Sequence, residues 1–491
     1  MNLFKGCVFV KLKALLSHLS IPTVIEDDPL ITGITSHSKK VKPGNLFFAI
    51  SGVQADGHQY IQEAFDNGAA AVIGEYDENI GPGVYIYAEE TKRLLSLAAS
   101  FFYEEPYRKH KMTGITGTNG KTTTSFLLQH ILHVHGMTSA LFGTVYHYIN
   151  SEIVKSSHTT PDPVTLQKML LRSNDEVVVM EVSSHGIEQN RIDGITYDQA
   201  IFLNLTHDHL DYHGTMESYF LCKSKLFSYL KNKGTAIICS EGEYGKRLRD
   251  DLRSKSDLQI WTYGKRKSDD FYIEDVGIDS FNLVHETLQV TVSLPLPGEY
   301  NALNTTAAIA AALDYGIPIK NSVEYLKSFA GIPGRFEEIT LNNGTEVIVD
   351  YAHTPDGVSQ VLEAASKKAG VRPLYHVFGF RGNRDLSKRT DMIKISLEYS
   401  TKTVLTVDDL NGIDRDQLLL ETEEAIPRSS HQPVIIEDRT EAIFFALKEA
   451  PANSIVIITG KGPEKYKETY NHPSTSDLDS VELYQTLNKP T

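Results

Sequence analysis

The stretch "GITGTNGKTTT" at residues 114–124 limits the possible folds more than any other part of this chain. An apolar run, "KMTGIT", enters a glycine turn, and a helical pattern leaves it and ends at Gly136. The common phosphate loop, G-x-x-x-x-G-K-[ST], wants a glycine five residues before Gly120, where Ile115 stands; Gly114 and Gly117 lie six and three residues before it. The chemistry does not require one spacing. It requires small residues whose N–H groups can face a polyphosphate, a helix N-terminus behind them, a lysine for charge and a hydroxyl for Mg²⁺. Gly117, Thr118, Asn119, Gly120, Lys121 and Thr122 supply these in order. An ordinary glycine turn is the alternative, but Gly-Lys-Thr opening a helix directly after a strand argues for a nucleotide loop.

With 491 residues the chain exceeds one hydrophobic core, so two to four domains are expected. Its 41% hydrophobic and 23% charged residues suit a globular protein. A formal net charge of -15 argues against a nucleic-acid surface, which draws its affinity from Lys and Arg on phosphates. Three cysteines, Cys7, Cys222 and Cys239, make no disulfide framework and point to a reducing compartment. Lys5, Lys11 and Lys13 interrupt the N-terminal apolar stretch too often for a signal peptide, and no run nears the roughly 18 apolar residues of a membrane span. A cytoplasmic protein with no membrane partner is the expectation.

Three regions differ in texture. In 1–110, "GNLFFAI" and "AAVIGE" read as strands and "YIQEAFDNGA" as a helix. In 111–335, "EVVVMEV", "AIFLNL" and "GTAIIC" are short buried-strand candidates between helices, the pattern of a parallel sheet covered on both faces. Residues 265–296 alternate with period two and read as antiparallel, and "YNALNTTAAIAAALDYG" reads as a helix. After the Gly/Pro-rich join "GIPGRFE", residues 336–491 carry five strand candidates, "TEVIVDYAH", "RPLYHVFGF", "TKTVLTVDD", "QPVIIEDR" and "NSIVIITGKG", a Rossmann-like doubly wound pattern without G-x-G-x-x-G. The tail after His472 is polar and reads as frayed. The fold class is α/β.

Several polar residues fall at strand ends. Glu181, at the carboxyl end of a buried strand, stands at the edge where open α/β sheets bind ligands, and a carboxylate near a phosphate loop suits Mg²⁺. A capping or surface glutamate is the alternative. "LNLTHDHLDYHGT" crowds histidines and aspartates between His207 and His213, which is either a metal site or a polar turn; His209 could give one nitrogen to Mg²⁺, while zinc is weakly supported without Cys or H-E-x-x-H. Lys223 follows on an amphipathic helix. It could contact phosphate, react with CO₂ to a carbamate that ligates metal, or be a plain surface lysine; its chemistry alone does not choose.

Eight segments together resemble the Mur ligases: "GITGTNGKTTT", "HTTPDP", "MEVSSHG", "NLTHDHLDYHGTMESYFLCKSKLF", "PGEYNALN", "GIPGRFE", "VDYAHTPDG" and "ITGKGPE". They are most similar to the members that add the third residue to UDP-N-acetylmuramoyl-L-alanyl-D-glutamate, over residues 33 to 467. The nonstandard glycine spacing is the family's own. The resemblance implies three domains: 1–110 binding the UDP end, a central P-loop-like ATPase domain at 111–335, and a Rossmann-like domain at 336–491 binding the incoming amino acid. It implies a monomer using ATP and Mg²⁺, in which a carboxylate becomes an acyl phosphate and an amino acid's amine attacks it.

By the same match, Gly117 to Thr123 cradle ATP, with Lys121 on its phosphates, and Asn301, Arg335 and Asp350 lie around the nucleotide. Thr122, Glu181, His209 and a carbamylated Lys223 (N6-carboxylysine) hold metal. Ser38, Thr159, Thr160, Ser183, Gln189 and Arg191 contact the UDP-dipeptide. Arg384, Asp408, Asn411, Gly460 and Glu464 contact the amino acid.

The match departs in three places. His37-Ser38-Lys39 replaces Asp-Ser-Arg, and "RGNRD" at 381–385 replaces Gly-Gly-Asp-Arg-Asp while keeping Arg384 and Asp385. Members adding meso-diaminopimelate carry Asp-Asn-Pro-Arg, whose arginine grips the distal carboxylate; here "DDLN" puts Asn411 in that place, which disfavours meso-diaminopimelate, with Arg415 as a nearby substitute and L-lysine or another amino acid open. A folylpolyglutamate synthetase-like ligase is a rival, opposed by "VKPGNLFFAISGVQADGHQY" at 41–60, which resembles a UDP-binding module. A non-catalytic nucleotide-binding protein is another, opposed by Lys121, Glu181, His209 and Lys223. A kinase stopping at phosphorylation would leave the third region without a purpose.

Overall fold

A computed structural model describes residues 9–22, 25–52, 55–76, 83–254, 257–428 and 432–488. Cys7, Lys5 and residues 53–54 of the 41–60 motif lie outside them. The chain forms two interleaved units. The first comprises the chain to Thr116, Gly136–Ala200 and Cys222–Thr235; the second comprises Gly117–His135, Ile201–Leu221 and the chain from Ala236.

The first unit holds a four-stranded parallel sheet, ordered Gly33–Thr35, Asn45–Phe48, Ala71–Gly74 and Val84–Tyr87. Asn45–Phe48 and Ala71–Gly74 are buried throughout, as expected of parallel strands covered on both faces. One face packs on the helices Leu12–His18 and Thr91–Phe102 through Leu12, Leu15, Leu95, Ala99 and Phe102. The same unit contains the parallel strands Ser139–Phe142, Val177–Glu181 and Lys111–Thr116, adjacent in that order. A hairpin of Tyr146–Ile149 and Glu152–Lys155, absent from the sequence reading, extends this set antiparallel from Ser139–Phe142. Its turn residues Asn150 and Ser151 both have left-handed φ, 52° and 68°, the two-residue turn that matches strand twist.

In the second unit the helix Lys121–His135 packs beside Glu299–Asp314 and Ile319–Leu326. Phe271–Glu274, Ser280–His285 and Leu288–Ser293 pair antiparallel, as their period-two alternation predicts. A six-stranded sheet follows, ordered Glu337–Thr340, Glu346–Asp350, Ile455–Thr459, Leu374–Phe380, Lys402–Val407 and Val434–Ile435. The last five are the five expected strands, all parallel; Glu337–Thr340 is an unexpected antiparallel edge. Because Ile455–Thr459 lies between the first and second parallel strands, the connections diverge there, and a crevice opens at the carboxyl ends of the strands.

The tail is not frayed. Asp477–Leu487 is a helix, and Ser476 caps it by accepting from the Asp479 N–H at 3.2 Å. Arg439 and Asp477, both fully buried, pin it: Nε and Nη2 donate to the two carboxylate oxygens at 2.6 and 2.7 Å. Among the described residues no helix is long and apolar enough to cross a membrane.

Candidate active site

The loop at 117–120 is a fitted cradle. Gly120 sits at φ +88°, a conformation that disfavours side chains, and a Cβ there would strike the Asn304 amide. Asn304 in turn donates to Asn301 Oδ1 at 3.2 Å, so Asn301 lies one residue behind the cradle, buried and donating to Pro297 O at 2.8 Å. Asn204 clamps the loop: its main-chain oxygen accepts from Thr118 N at 3.1 Å, its Oδ1 from Asn119 N at 2.9 Å. Thr206 N donates to Thr118 Oγ1 at 3.0 Å. Asn119 Nδ2 donates to Asp356 Oδ2 at 2.8 Å, in the first turn of the helix Pro355–Ala369. Lys121 Nζ donates to the carbonyls of Gly117 and Thr118, both at 2.8 Å, which holds the ammonium over the loop. Thr123, like Thr122, is buried in the first turn behind it.

Arg335 reaches the same loop from far along the chain. Its Nη2 donates to Thr122 Oγ1 at 3.3 Å, and its guanidinium lies 4.4 Å from the Tyr351 ring centre, a cation–π distance. Asp350, at the end of its strand, accepts from Phe336 N and Ala352 N, both at 2.7 Å. Burial raises its pKa, against the opposing pull of Arg335. Thr118–Thr122, Asn301, Arg335 and Asp350 are thus gathered within one unit. Asn204, Thr206 and Asp356 were missed; "NLTHDH" following a strand hinted at the first two, and "VDYAHTPDG" contains the third.

In the first unit, Glu181 is fully buried at the end of Val177–Glu181. Its oxygens accept from Thr144 N at 3.1 Å and Thr144 Oγ1 at 2.8 Å. Thr144 Oγ1 also lies 3.0 Å from Thr159 Oγ1. Thr160 Oγ1 donates to Glu181 O at 3.0 Å and accepts from Ser183 N at 2.9 Å. Ser183 caps the short helix Ser184–Glu188, whose Gly186 leaves room for Thr160. Arg191 Nη1 donates to Thr160 O at 2.6 Å, and Nη2 to Gln189 Oε1 at 2.7 Å. Thr159, Thr160, Ser183, Gln189 and Arg191 therefore form one network ending on Glu181, with Thr144 as the missed link. Ser38 stands apart from these bonds, buried in the turn Ser38–Lys40, where its main-chain oxygen accepts from Asn67 at 3.1 Å. Lys223 is no surface lysine: only 1% of it is exposed.

The crevice of the six-stranded sheet holds a cavity of about 150 Å³ lined by Asp208, His209, Tyr351, Arg381, Arg384 and Asp408, among others. His209 takes a left-handed φ of 55° and its Nε2 lies 3.3 Å from Asp208 Oδ2; Lys388 Nζ meets Asp208 Oδ1 at 3.3 Å. Burial works against the Asp208 charge, but Lys388 and His209 override it and hold the pKa below the ordinary carboxylate range. Burial pushes the His353 pKa down to about 4, so this ring on the cavity wall is neutral at pH 7. Asp408 Oδ1 meets Lys461 Nζ at 2.9 Å and Asp409 N at 2.7 Å. Lys461, fully buried, also meets Asp409 Oδ1 at 2.6 Å. Arg381 donates to Gly460 O at 3.1 Å and Glu464 Oε2 at 2.6 Å, and lies 3.4 Å from Asp408 Oδ2. Asn411 Nδ2 donates to Gly382 O at 3.2 Å, and Asn383 Nδ2 donates to Asn411 O at 2.8 Å. Of the expected amino-acid contacts, Arg384 and Asp408 line the cavity, Gly460 and Glu464 are held by Arg381 on its wall, and Asn411 is bound to Gly382 beside it; His353, Arg381 and Lys461 were not foreseen.

The residues present fit ATP and Mg²⁺. The glycine cradle has no space for a Cβ, its lysine is held over the phosphate side, and the Thr122 hydroxyl at the helix start is an oxygen donor suited to a hard cation.

A phosphate-binding loop on an α/β scaffold, with a second ligand crevice at a sheet's switch point, defines an ATP-dependent ligase assembled from several domains. Residues 115–312 match the Mur ligase middle domain, 334–462 the Mur ligase glutamate ligase domain and 30–99 the Mur ligase family catalytic domain. The chain belongs to the Mur ligase family, whose members use ATP with Mg²⁺. It is 37% identical to the UDP-N-acetylmuramoyl-L-alanyl-D-glutamate--2,6-diaminopimelate ligase of Listeria monocytogenes serotype 4b, over 89% of this chain and 90% of that one. It is also 37% identical to the ligase of the same name from Bacillus velezensis, over 96% and 98% of the two chains. A solved structure of a ligase of that name superposes with a TM-score of 0.69 at 28% identity, covering 98% of this chain and 100% of that one.

Proposed function

We propose that this protein joins an amino acid to the D-glutamate of UDP-N-acetylmuramoyl-L-alanyl-D-glutamate at the expense of ATP, a step in making peptidoglycan precursor. The observation that carries the reading is the tie between phosphate loop and crevice: Arg335 on Thr122 and Asn119 on Asp356 bind the nucleotide cradle to the sheet whose switch point holds the second cavity. The relatives' names support the acceptor.

The chemistry asks for charge neutralisation and alignment more than for a protein nucleophile. Loop N–H groups and Lys121 receive the ATP phosphates, and Asn301, Arg335 and Asp350 the rest of the nucleotide. Thr159, Thr160, Ser183, Gln189 and Arg191 orient the dipeptide, and Ser38 the uridine end. Thr122 and His209 in the second unit, and Glu181 and Lys223 as its carbamate in the first, would each offer a donor to Mg²⁺, which would neutralise phosphoryl oxygens. An acceptor carboxylate takes the γ-phosphoryl group, releasing ADP. The amine of the amino acid then attacks the acyl phosphate, and the amide forms as phosphate leaves. Burial supports the carbamate: CO₂ turns an ammonium that is costly to bury into an anion suited to a cation site. The matched ranges 30–99, 115–312 and 334–462 support a three-part division, which we place at 1–110, 111–335 and 336–491, and the ATP requirement and cysteine content support a cytoplasmic location.

Asn411 argues against meso-diaminopimelate. An amide in place of a guanidinium loses a charge-assisted contact of about 1.5–3 kcal/mol. The test is phosphate release from ATP, UDP-N-acetylmuramoyl-L-alanyl-D-glutamate and a panel of amino acids. Absence of dipeptide-dependent release with every amino acid sinks the ligase reading; preference for meso-diaminopimelate sinks the reading of Asn411.

A further inference from the structure

Four carboxylates line the crevice cavity: Asp208, Asp211, Asp385 and Asp408. Asp408 is committed to Lys461, Arg381 and the Asp409 N–H, and Asp208 to Lys388 and His209. Asp211 is exposed, where water serves it. Asp385 differs from all three. Its Oδ1 accepts from Ser387 N at 2.9 Å and from Ser387 Oγ at 2.6 Å, which fixes the plane of the carboxylate. Its Oδ2 is buried and has no hydrogen-bond partner among the described residues. The imidazole that faces this oxygen, through His207 Nε2, stands 3.9 Å away, too far for a hydrogen bond. A buried carboxylate oxygen without a donor costs free energy, and it calls for a ligand or a catalytic duty. Arg384, next to Asp385 in the chain, lines the same cavity with no ion pair or hydrogen bond among the described residues. An uncommitted cation and an uncommitted anion thus share one cavity, which is the charge pattern that an amino acid's carboxylate and ammonium require. The cavity also has a direction. His207, facing Asp385, follows Thr206, whose N–H donates to Thr118 Oγ1 of the phosphate loop at 3.0 Å. Asp385 is therefore on the side of the cavity that is joined to that loop.

We propose that Asp385 is a catalytic residue that receives the reacting α-ammonium of the incoming amino acid on Oδ2 and holds its nitrogen towards the acyl phosphate, with Arg384 on the adjoining carboxylate. This rests on the ligase reading and on the crevice as the amino-acid site. It applies to diamino and monoamino acids alike, because each carries the α-amine and α-carboxylate. A charge-assisted N–H···O bond about 2.7–2.9 Å long fixes the nitrogen, and alignment of the reacting atoms is a large share of what such a transfer needs.

The test uses the full-length enzyme with ATP and UDP-N-acetylmuramoyl-L-alanyl-D-glutamate. L-lysine, meso-diaminopimelate, L-alanine and L-glutamate are compared by phosphate release and product mass, and the best of them is carried forward. In Asp385→Asn the two Ser387 donors keep the amide oxygen at the Oδ1 place, so the amide nitrogen turns a donor towards the incoming ammonium. Asp385→Asn and Asp385→Ala should each lower kcat/KM for the amino acid about 10- to 100-fold, with the KM of ATP and of the dipeptide unchanged. Asp385→Glu, which keeps the charge, should retain more activity than Asp385→Asn. The analogue lacking the reacting amine (6-aminohexanoate, D-2-aminopimelate, propionate or glutarate, respectively) gives Asp385 nothing to hold. Its inhibition constant should stay within about twofold of wild type in the variants, whereas a merely structural role would weaken analogue and amino acid together. Melting curves confirm that each variant is folded. An Asp385→Asn enzyme within about twofold of wild type, or an analogue weakened as much as the amino acid, overturns the proposal while leaving the ligase reading intact. No phosphate release with any amino acid in the wild type overturns the ligase reading, and this proposal with it.

Discussion

Replacing Asp477 by Asn tests whether a buried ion pair fastens the C-terminal helix. The two side chains are fully buried, and a two-point fork joins them at 2.6 and 2.7 Å. Asparagine keeps the shape and the Nε acceptor, but it turns the second oxygen into a donor facing Nη2. The guanidinium then keeps its charge without its counter-ion, a change that costs about 3–5 kcal/mol in buried pairs. Asp408 also attracts Arg439, and Thr459 O still accepts from Nη2 at 2.9 Å, so the lower end, about 3 kcal/mol, is expected. Urea unfolding gives the magnitude, and hydrogen exchange of the 477–487 amides shows whether the helix opens first. The double variant Arg439→Met, Asp477→Leu should recover most of the loss, because an apolar pair carries no stranded charge. A single-variant loss under about 1 kcal/mol, or a double variant as unstable as the single, refutes the reasoning.

Gly120→Ala should lower kcat/KM for ATP by about tenfold or more and stability by about 1–2 kcal/mol, read by ATP titration and melting, since its Cβ strikes Asn304 at a left-handed φ. Lys223→Ala should nearly abolish turnover and regain part of it with added acetate or formate; unchanged activity removes the carbamate role. Burial pushes the His376 pKa down to about 3, with its ring nitrogens 2.8 Å from Ser396 Oγ and 2.9 Å from Thr459 Oγ1. The unfolded chain takes up this proton below pH about 6.5 and the folded one does not, so stability should fall as pH drops from 6.5 towards 3, by an amount on the order of 3–5 kcal/mol for this group. Denaturant titrations at pH 7, 5.5 and 4.5 on wild type and His376→Gln measure it, the variant showing a shallower decline.

The parallel strands and the loop helix were legible because their signals are local: short apolar runs such as "VVVME", and Gly-Lys-Thr at a helix start. The hairpin Tyr146–Ile149 and Glu152–Lys155 was missed although its turn pair Asn150-Ser151 was readable, because buried His147 blurs the alternation. The tail helix was missed although Ser476 and Asp479 form a capping signal, because its polarity conceals a buried ion pair with a residue 38 positions earlier. The site divides in the same way. Lys121 and Glu181 follow from motif and strand end. The lock of Arg381 on Glu464 and Gly460 joins positions about 80 residues apart, which no local pattern encodes.

The two departures in the third region are coupled. Asn411 donates to Gly382 O, and Asn383 donates to Asn411 O, so the "DDLN" turn is laced to the segment that carries Arg381. Introducing an arginine at 411 supplies a group for a distal carboxylate but cuts one lace and leaves Glu464 occupied. Asn411→Arg alone should therefore raise activity with meso-diaminopimelate by less than about threefold, and Arg381→Gly alone should free Glu464 without adding a group for the distal carboxylate. Together they should exceed the product of the single effects, with a coupling on the order of 1 kcal/mol in the double-mutant cycle of kcat/KM. Strict multiplicativity would mean that the two loops recognise the amino acid independently, and that the hydrogen bonds between them do not matter to the choice.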